Sequence, residues 1–119
     1  MNWYSAKIVF QIQIESVKIA HQFDESIRLI HANNKEEAFQ LARKIGFENQ
    51  SRFKNINGDW VMWSFIAVVS LYEIDKLQNG VEMYSMIIED QNPDHYIQVI
   101  KNKAKMLEEN PLENPVKFE

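Results

Sequence analysis

Between Trp60 and Tyr72 the chain alternates in the manner of a strand, yet neither parity is polar. Val61, Trp63, Phe65, Ala67, Val69 and Leu71 share one parity; Trp60, Met62, Ser64, Ile66, Val68, Ser70 and Tyr72 share the other. A strand with one wet side shows polar residues there, so both faces of this strand must be covered. The stretch is too short to span a bilayer and carries two serines. Residues 81–89 repeat the pattern, with Val81, Met83 and Ile87 opposed to Tyr84, Met86 and Ile88. Large apolar surfaces are rarely left open on soluble monomers. Three covers suit the second face: the C-terminal helix of the same chain, a second copy, or a different partner.

The surrounding elements follow from periodicity and punctuation. Residues 3–15 alternate, with Tyr4, Ala6, Ile8, Phe10, Ile12 and Ile14 against Ser5, Lys7, Gln11, Gln13 and Glu15. This predicts a half-buried strand, long enough to accommodate a bulge or bend. Residues 16–21 turn the chain into a second strand over 22–32, with Phe23, Ile27 and Leu29 on one face and Asp24, Ser26 and Arg28 on the other. Asn34 caps a helix over 35–45, Glu37 completes a capping box, and Ala38, Leu41, Ala42 and Ile45 recur at helical spacing. Gly46 is the expected stop. Asn57-Gly58 predicts a type I′ hairpin between strands 51–56 and 60–72. Asn79-Gly80 predicts a return into a fifth strand over 81–89. Asn92-Pro93-Asp94 opens a last helix with an Ile97, Ile100, Ala104, Leu107 stripe. It ends near Asn110-Pro111, before a tail read as extended chain. The expected fold is α+β in the order β-β-α-β-β-β-α, a mainly antiparallel five-stranded sheet with helices on one face. Residues 1–91 form the main domain. Residues 92–119 are a helix and tail packed on it.

Composition narrows the function classes. A chain of 119 residues with 45% hydrophobic content can bury a core without disulfides or metals. It has no cysteine, which removes disulfides, thiolate chemistry and Cys-ligated metals, and fits a reducing compartment. The N-terminal residues lack a basic stretch followed by an apolar run, so no signal peptide is read there. The expected setting is cytoplasmic, with no membrane association. Thirteen Lys and Arg against seventeen Asp and Glu give a net charge of −4. Phosphate backbones need a basic field, and Lys101, Lys103 and Lys105 share no helical face, so no nucleic-acid partner is expected.

Chemistry-bearing motifs are scarce. His21, His31 and His95 have no ligand spacing, so no metal is expected. Asp24-Glu25 and Glu73 with Asp75 are acidic pairs that a chain with seventeen acids produces by chance. The three glycines, 46, 58 and 80, are each accounted for by a cap or turn, leaving no phosphate-cradling loop. No Gly-x-Ser-x-Gly elbow exists, and no cofactor or catalytic residue is assigned. Trp3, Tyr4, Trp60, Trp63, Tyr72 and Tyr84 suit either a recognition surface or a core. Trp3 lies on the polar parity beside Lys7.

Trp3-Tyr4-Ser5-Ala6-Lys7, Phe23-Asp24-Glu25 with Ile27, Glu37-Ala38, Trp63-x-Phe65, Leu71-Tyr72-Glu73 and Glu82-x-Tyr84-Ser85 together resemble a bacterial family, the domain of unknown function numbered four-two-eight-eight. The resemblance covers about residues 3–89. It implies a small stand-alone domain and no catalytic activity. If the family shares a site, its members here are Lys7, Asp24, Glu25, Glu73 and Glu82, with Trp3 and Trp63. A carboxylate beside Lys7 also suits a plain cross-strand ion pair. The leading expectation is a non-enzymatic protein–protein interaction domain, a homodimer joined through the second face or a strand edge. The alternative is a small-ligand module with an aromatic pocket between sheet and helix. An enzyme would need Lys7 and at least one more of those groups to converge in a cleft.

Overall fold

A computed structural model describes residues 1–18 and 22–109. Its element order is β1 (Asn2–Ile14), β2 (Gln22–Ala32), α1 (Lys35–Glu48), β3 (Ser51–Lys54), β4 (Trp60–Ile74) and α2 (Pro93–Glu109). The four strands form one antiparallel sheet in the order β2-β1-β4-β3. The chain divides into two compact units, Met1–Ser85 and a second beginning at Met86.

The α+β class and the antiparallel sheet agree with the sequence reading, but the sheet has four strands, not five. Residues 81–89 contain no strand. β3 pairs with β4 only at Trp60–Trp63, and beyond it the β4 edge is broken by the bulges at Ile66 and Val69. The segment after Gly80, whose φ is +85°, instead brings Met83 and Tyr84 to β1: the Ser5 hydroxyl donates to the Met83 carbonyl. Alternation in 81–88 therefore reported extended chain, without ladder pairing.

β1 supplies the centre of the core. Tyr4, Ala6, Ile8, Phe10 and Ile12 are buried on one face, and full burial of Ile8 or Phe10 contributes about 1.5–3 kcal/mol each. Helix α1 covers one end of that face, where Tyr4, Ala6, Ile30 and Ala32 meet Ala38 and Ala42. Its start is as expected. The Asn34 carboxamide oxygen accepts from the Glu37 amide at 2.8 Å, and Asn33 Nδ2 donates to Glu37 Oε2 at 3.0 Å.

Its end is not. The helix continues to Glu48, and Gly46 lies inside it without a positive φ. Asn49 closes it, its amide donating to the Ile45 carbonyl at 3.0 Å and its Nδ2 at 2.7 Å. Gly46 is present because of a neighbour: a Cβ there would stand 2.5 Å from Phe65 Cε1. The missing side chain lets the helix backbone rest on the Phe65 ring.

The β3–β4 connection also departs from expectation. Lys54 pairs with Trp60, leaving a five-residue loop in which only Gly58 has positive φ, so it is no type I′ turn. The Asn55 side chain holds this loop by accepting from the amides of Asn57 and Asp59, each at 3.0 Å.

Two register shifts explain the unusual composition of β4. Lys7 pairs with Ser70 but Ile8 with Val68, and Val9 pairs with Ala67 but Phe10 with Phe65. Val69 and Ile66 are thus the extra residues of two bulges, and each exchanges the parity that faces α1. Leu71, Val68, Phe65, Trp63 and Val61 all lie on the α1 side by register, while Tyr72, Ser70, Ala67, Ser64 and Met62 lie on the other. The doubly apolar pattern of residues 60–72 is largely one apolar face read through two frame shifts.

In the second unit, α2 begins as expected. The Asn92 side chain accepts from the His95 amide at 3.1 Å, with Pro93 in the first turn. The tail beyond Glu109, and His21, lie outside the described residues.

Candidate functional site

The face of the sheet opposite α1 carries the polar parity of β1. By register, Trp3, Ser5, Lys7, Val9 and Gln11 stand beside His31, Leu29, Ile27, Glu25 and Phe23 of β2. On the other flank they meet Ile74, Tyr72, Ser70, Ala67 and Ser64 of β4.

A polar cluster occupies the middle of this face. Lys7 Nζ lies 2.7 Å from Glu25 Oε1, reaching diagonally to the next cross-strand position. The same ammonium sits 5.4 Å from the Tyr84 ring centroid. The hydrogen bond to Glu25 raises the Lys7 pKa above 10.5, against a smaller desolvation effect that lowers it; the Glu25 and Tyr84 charges add to the rise. Lys7 therefore stays an ammonium at neutral pH, a fixed charge and not a base or nucleophile. The Tyr72 hydroxyl is bonded to the Glu82 carboxylate, which raises the Tyr72 pKa above 10.0, helped by desolvation. Ser5 is buried under Met83, and Ser70 Oγ is buried with no partner among the described residues. Trp3 stacks on His31, ring centroids 4.1 Å apart and 12° from parallel.

Of the seven sequence candidates, four come to this face. Trp3, Lys7 and Glu25 lie on its strands, and Glu82 reaches it through Tyr72. The other three do not. Asp24, Glu73 and Trp63 are in register with Phe10, Tyr4 and Ile12, on the α1 side. Trp63 packs beside Phe10 at 6.3 Å, with its indole N–H buried and unpartnered among the described residues. Lys7 is joined by one strand carboxylate, Glu25. The sequence reading missed Ser5 and Ser70, and it weighed Tyr72 and Tyr84 only as aromatic members of a recognition surface or a core. Their one signal was position: Ser5 shares parity with Lys7, and Tyr84 lies two residues from Glu82.

The apolar part of the face belongs to β2. Phe23, Ile27 and Leu29 are in register with Gln11, Lys7 and Ser5 and are 55%, 47% and 44% exposed. They point away from α1, although they are the apolar parity of their strand.

A separate cleft of about 320 Å³ opens at the far end of the sheet, lined by Gln13, Ile14, Glu15, Val17, Arg52, Trp60 and Met62. The Arg52 guanidinium lies 4.0 Å above the Trp60 ring and Lys54 Nζ 5.3 Å from it. Glu15 Oε2 accepts from the Trp60 amide at 3.0 Å. This is not the pocket between sheet and helix that the sequence suggested. Among the described residues no group of three or more His, Asp or Glu side chains could hold a metal ion, and no helix is long and apolar enough to cross a membrane.

No curated protein and no solved structure matches the chain. A family described as Domain of unknown function (DUF4288) matches residues 3–85, a span that holds all of the sheet but its first residue, together with α1 and the segment over Ser5 and Lys7. The chain belongs to that family.

Proposed function

We propose that this is a cytoplasmic, non-enzymatic protein–protein interaction domain that self-associates through the β2 side of the sheet. One observation carries the reading: Phe23, Ile27 and Leu29 stand exposed together on the face that α1 leaves uncovered. Ile27 and Leu29 are neighbours on that face, Phe23 lies beyond Glu25, and exposed apolar groups of this kind mark association surfaces. The polar cluster around Lys7 adjoins the patch and is internally paired, so it offers orientation more than reactivity. The cysteine-free composition suits a reducing compartment.

Sedimentation velocity of the full chain at micromolar concentration tests this. The wild-type chain should sediment as a dimer. Ile27→Lys and Leu29→Lys, at exposed positions that cost little fold stability, should shift it toward monomer. A wild-type monomer at all concentrations would overturn the proposal.

A second reading rests on the Trp60 cleft. Its volume is at the lower end of small-molecule sites, and Arg52 on Trp60 offers an anion-binding donor against an aromatic wall. A thermal-shift screen of small carboxylates and phosphates, with Arg52→Ala as control, should find a ligand whose effect the substitution removes.

A further inference from the structure

The outer edge of β2 is the longest regular edge of the sheet. Its eleven residues pair with β1 without a break, from Asn2 opposite Ala32 to Ile12 opposite Gln22. Among the described residues no strand pairs its other side. β4 is interrupted by two bulges and β3 is four residues long, and both features blunt an edge. β2 contains neither bulge, proline nor glycine, so it presents an open row of backbone donors and acceptors.

Its charges select an occupant. Asp24 and Arg28 lie on the same face of the strand, and neither forms an ion pair among the described residues, although Arg28 Nε donates to Ser26 Oγ at 3.3 Å. Four residues apart on a strand, they are separated by about 13 Å and cannot pair with each other. We propose that β2 pairs antiparallel with β2 of a second copy across a twofold axis at Ser26, joining two four-stranded sheets into one of eight.

Opposed residues in a sheet share a face, so a twofold axis must fall on a residue. With the axis at Ser26, Asp24 faces the partner's Arg28, twice by symmetry, and Phe23 faces the partner's Leu29, again twice. With the axis at Asp24, Glu25 or Arg28, like charges stand face to face. With the axis at Ile27, Asp24 is set against Ile30. The Ser26 register alone opposes Asp24 to Arg28 while bringing Phe23 against Leu29; it sets Glu25 opposite the partner's Ile27, where the carboxylate keeps its own Lys7 as partner. It also explains why β2 carries charges on its α1-side parity: as singlets they guard the edge against foreign strands, and as reciprocal pairs they admit a copy of themselves.

This inference rests on the self-association proposed above, and the test separates the two. The full chain is examined by sedimentation velocity, with circular dichroism to verify folding. Arg28→Asp and Asp24→Arg each turn two attractive pairs into two repulsive ones, and each should weaken dimerisation roughly ten- to thirtyfold. The double exchange Asp24→Arg with Arg28→Asp restores opposite charges and should recover the wild-type affinity. In a chain without cysteine, a Ser26→Cys variant should oxidise to a covalent dimer linked at that position. A dimer indifferent to both single reversals, or a dimeric Ser26→Cys variant that does not cross-link, overturns this register and leaves self-association standing. A monomeric wild type overturns both.

Discussion

Gly46 offers the sharpest test of the packing. Replacing glycine by alanine inside an exposed helix ordinarily stabilises by about 1 kcal/mol. Here the added methyl would stand 2.5 Å from Phe65 Cε1 and 3.0 Å from Cγ, so about 1 Å of movement is required. The ring has little room to yield. Phe47 meets it edge-on at a centroid distance of 4.7 Å, and Phe10 at 6.1 Å from the sheet side. Overpacking of this kind costs about 1–3 kcal/mol. Set against the helical gain, Gly46→Ala should destabilise by roughly 1 kcal/mol, or about 4–8 °C in Tm for a unit of this size. Urea unfolding followed by circular dichroism measures the difference. The Phe65→Leu background supplies the control: with the ring gone, Gly46→Ala should become stabilising, so the two substitutions should couple strongly. If Gly46→Ala stabilises the protein in the presence of Phe65, the close approach of α1 to β4 is wrong.

Asn34→Ala should cost about 1 kcal/mol in the same unfolding assay, because the Glu37 amide loses its acceptor, while Asn34→Ser should recover most of it. For Lys7, whose folded pKa is raised, the contribution to stability is complete below the unfolded value of 10.5 and is lost as pH rises through the folded one. NMR titration of the Lys7 side chain should therefore give a pKa above 10.5 that falls back toward it in Glu25→Gln. A titration unchanged by that substitution would remove the ion pair from the account.

The polar cluster and the apolar patch form one surface because β1 sets the register of both neighbours. Lys7 reaches Glu25 on one side and lies opposite Ser70 on the other. Met83 and Tyr84 then cover the β1–β4 half and leave β2 open. The family match ends at residue 85, just past that covering segment.

Features encoded within a few residues were legible in the chain alone. Alternation placed β1 and β2, the Asn34 cap placed the start of α1, and Asn92-Pro93 placed the start of α2. Each depends on contacts between neighbours in sequence, so local periodicity and hydrogen-bonding chemistry suffice. Gly46 misled because a helix-ending glycine and a close-packing glycine look alike until Phe65, nineteen residues on, is brought against it. The fifth strand failed because alternation does not by itself produce ladder pairing: the β4 edge beyond Trp63 is bulged, and residues 81–84 run instead to β1.

Faces were the larger loss. Parity within one strand can be read directly, but which parity meets α1 depends on register between strands. In β4 two bulges exchanged the parities midway. That is why residues 60–72 look apolar on both sides. Asp24, Glu73 and Trp63 oppose the α1-side parity of β1, whereas Glu25 opposes Val9 and so reaches Lys7; the parities that meet are fixed by strand register. The sequence by itself determined where β1, β2 and β4 run and where both helices begin, since those follow from near-neighbour sterics and periodicity. Only the tertiary structure decided that β2 turns Phe23, Ile27 and Leu29 outward and leaves its edge open, because those facts are set by hydrogen-bonded register with a strand some twenty residues away.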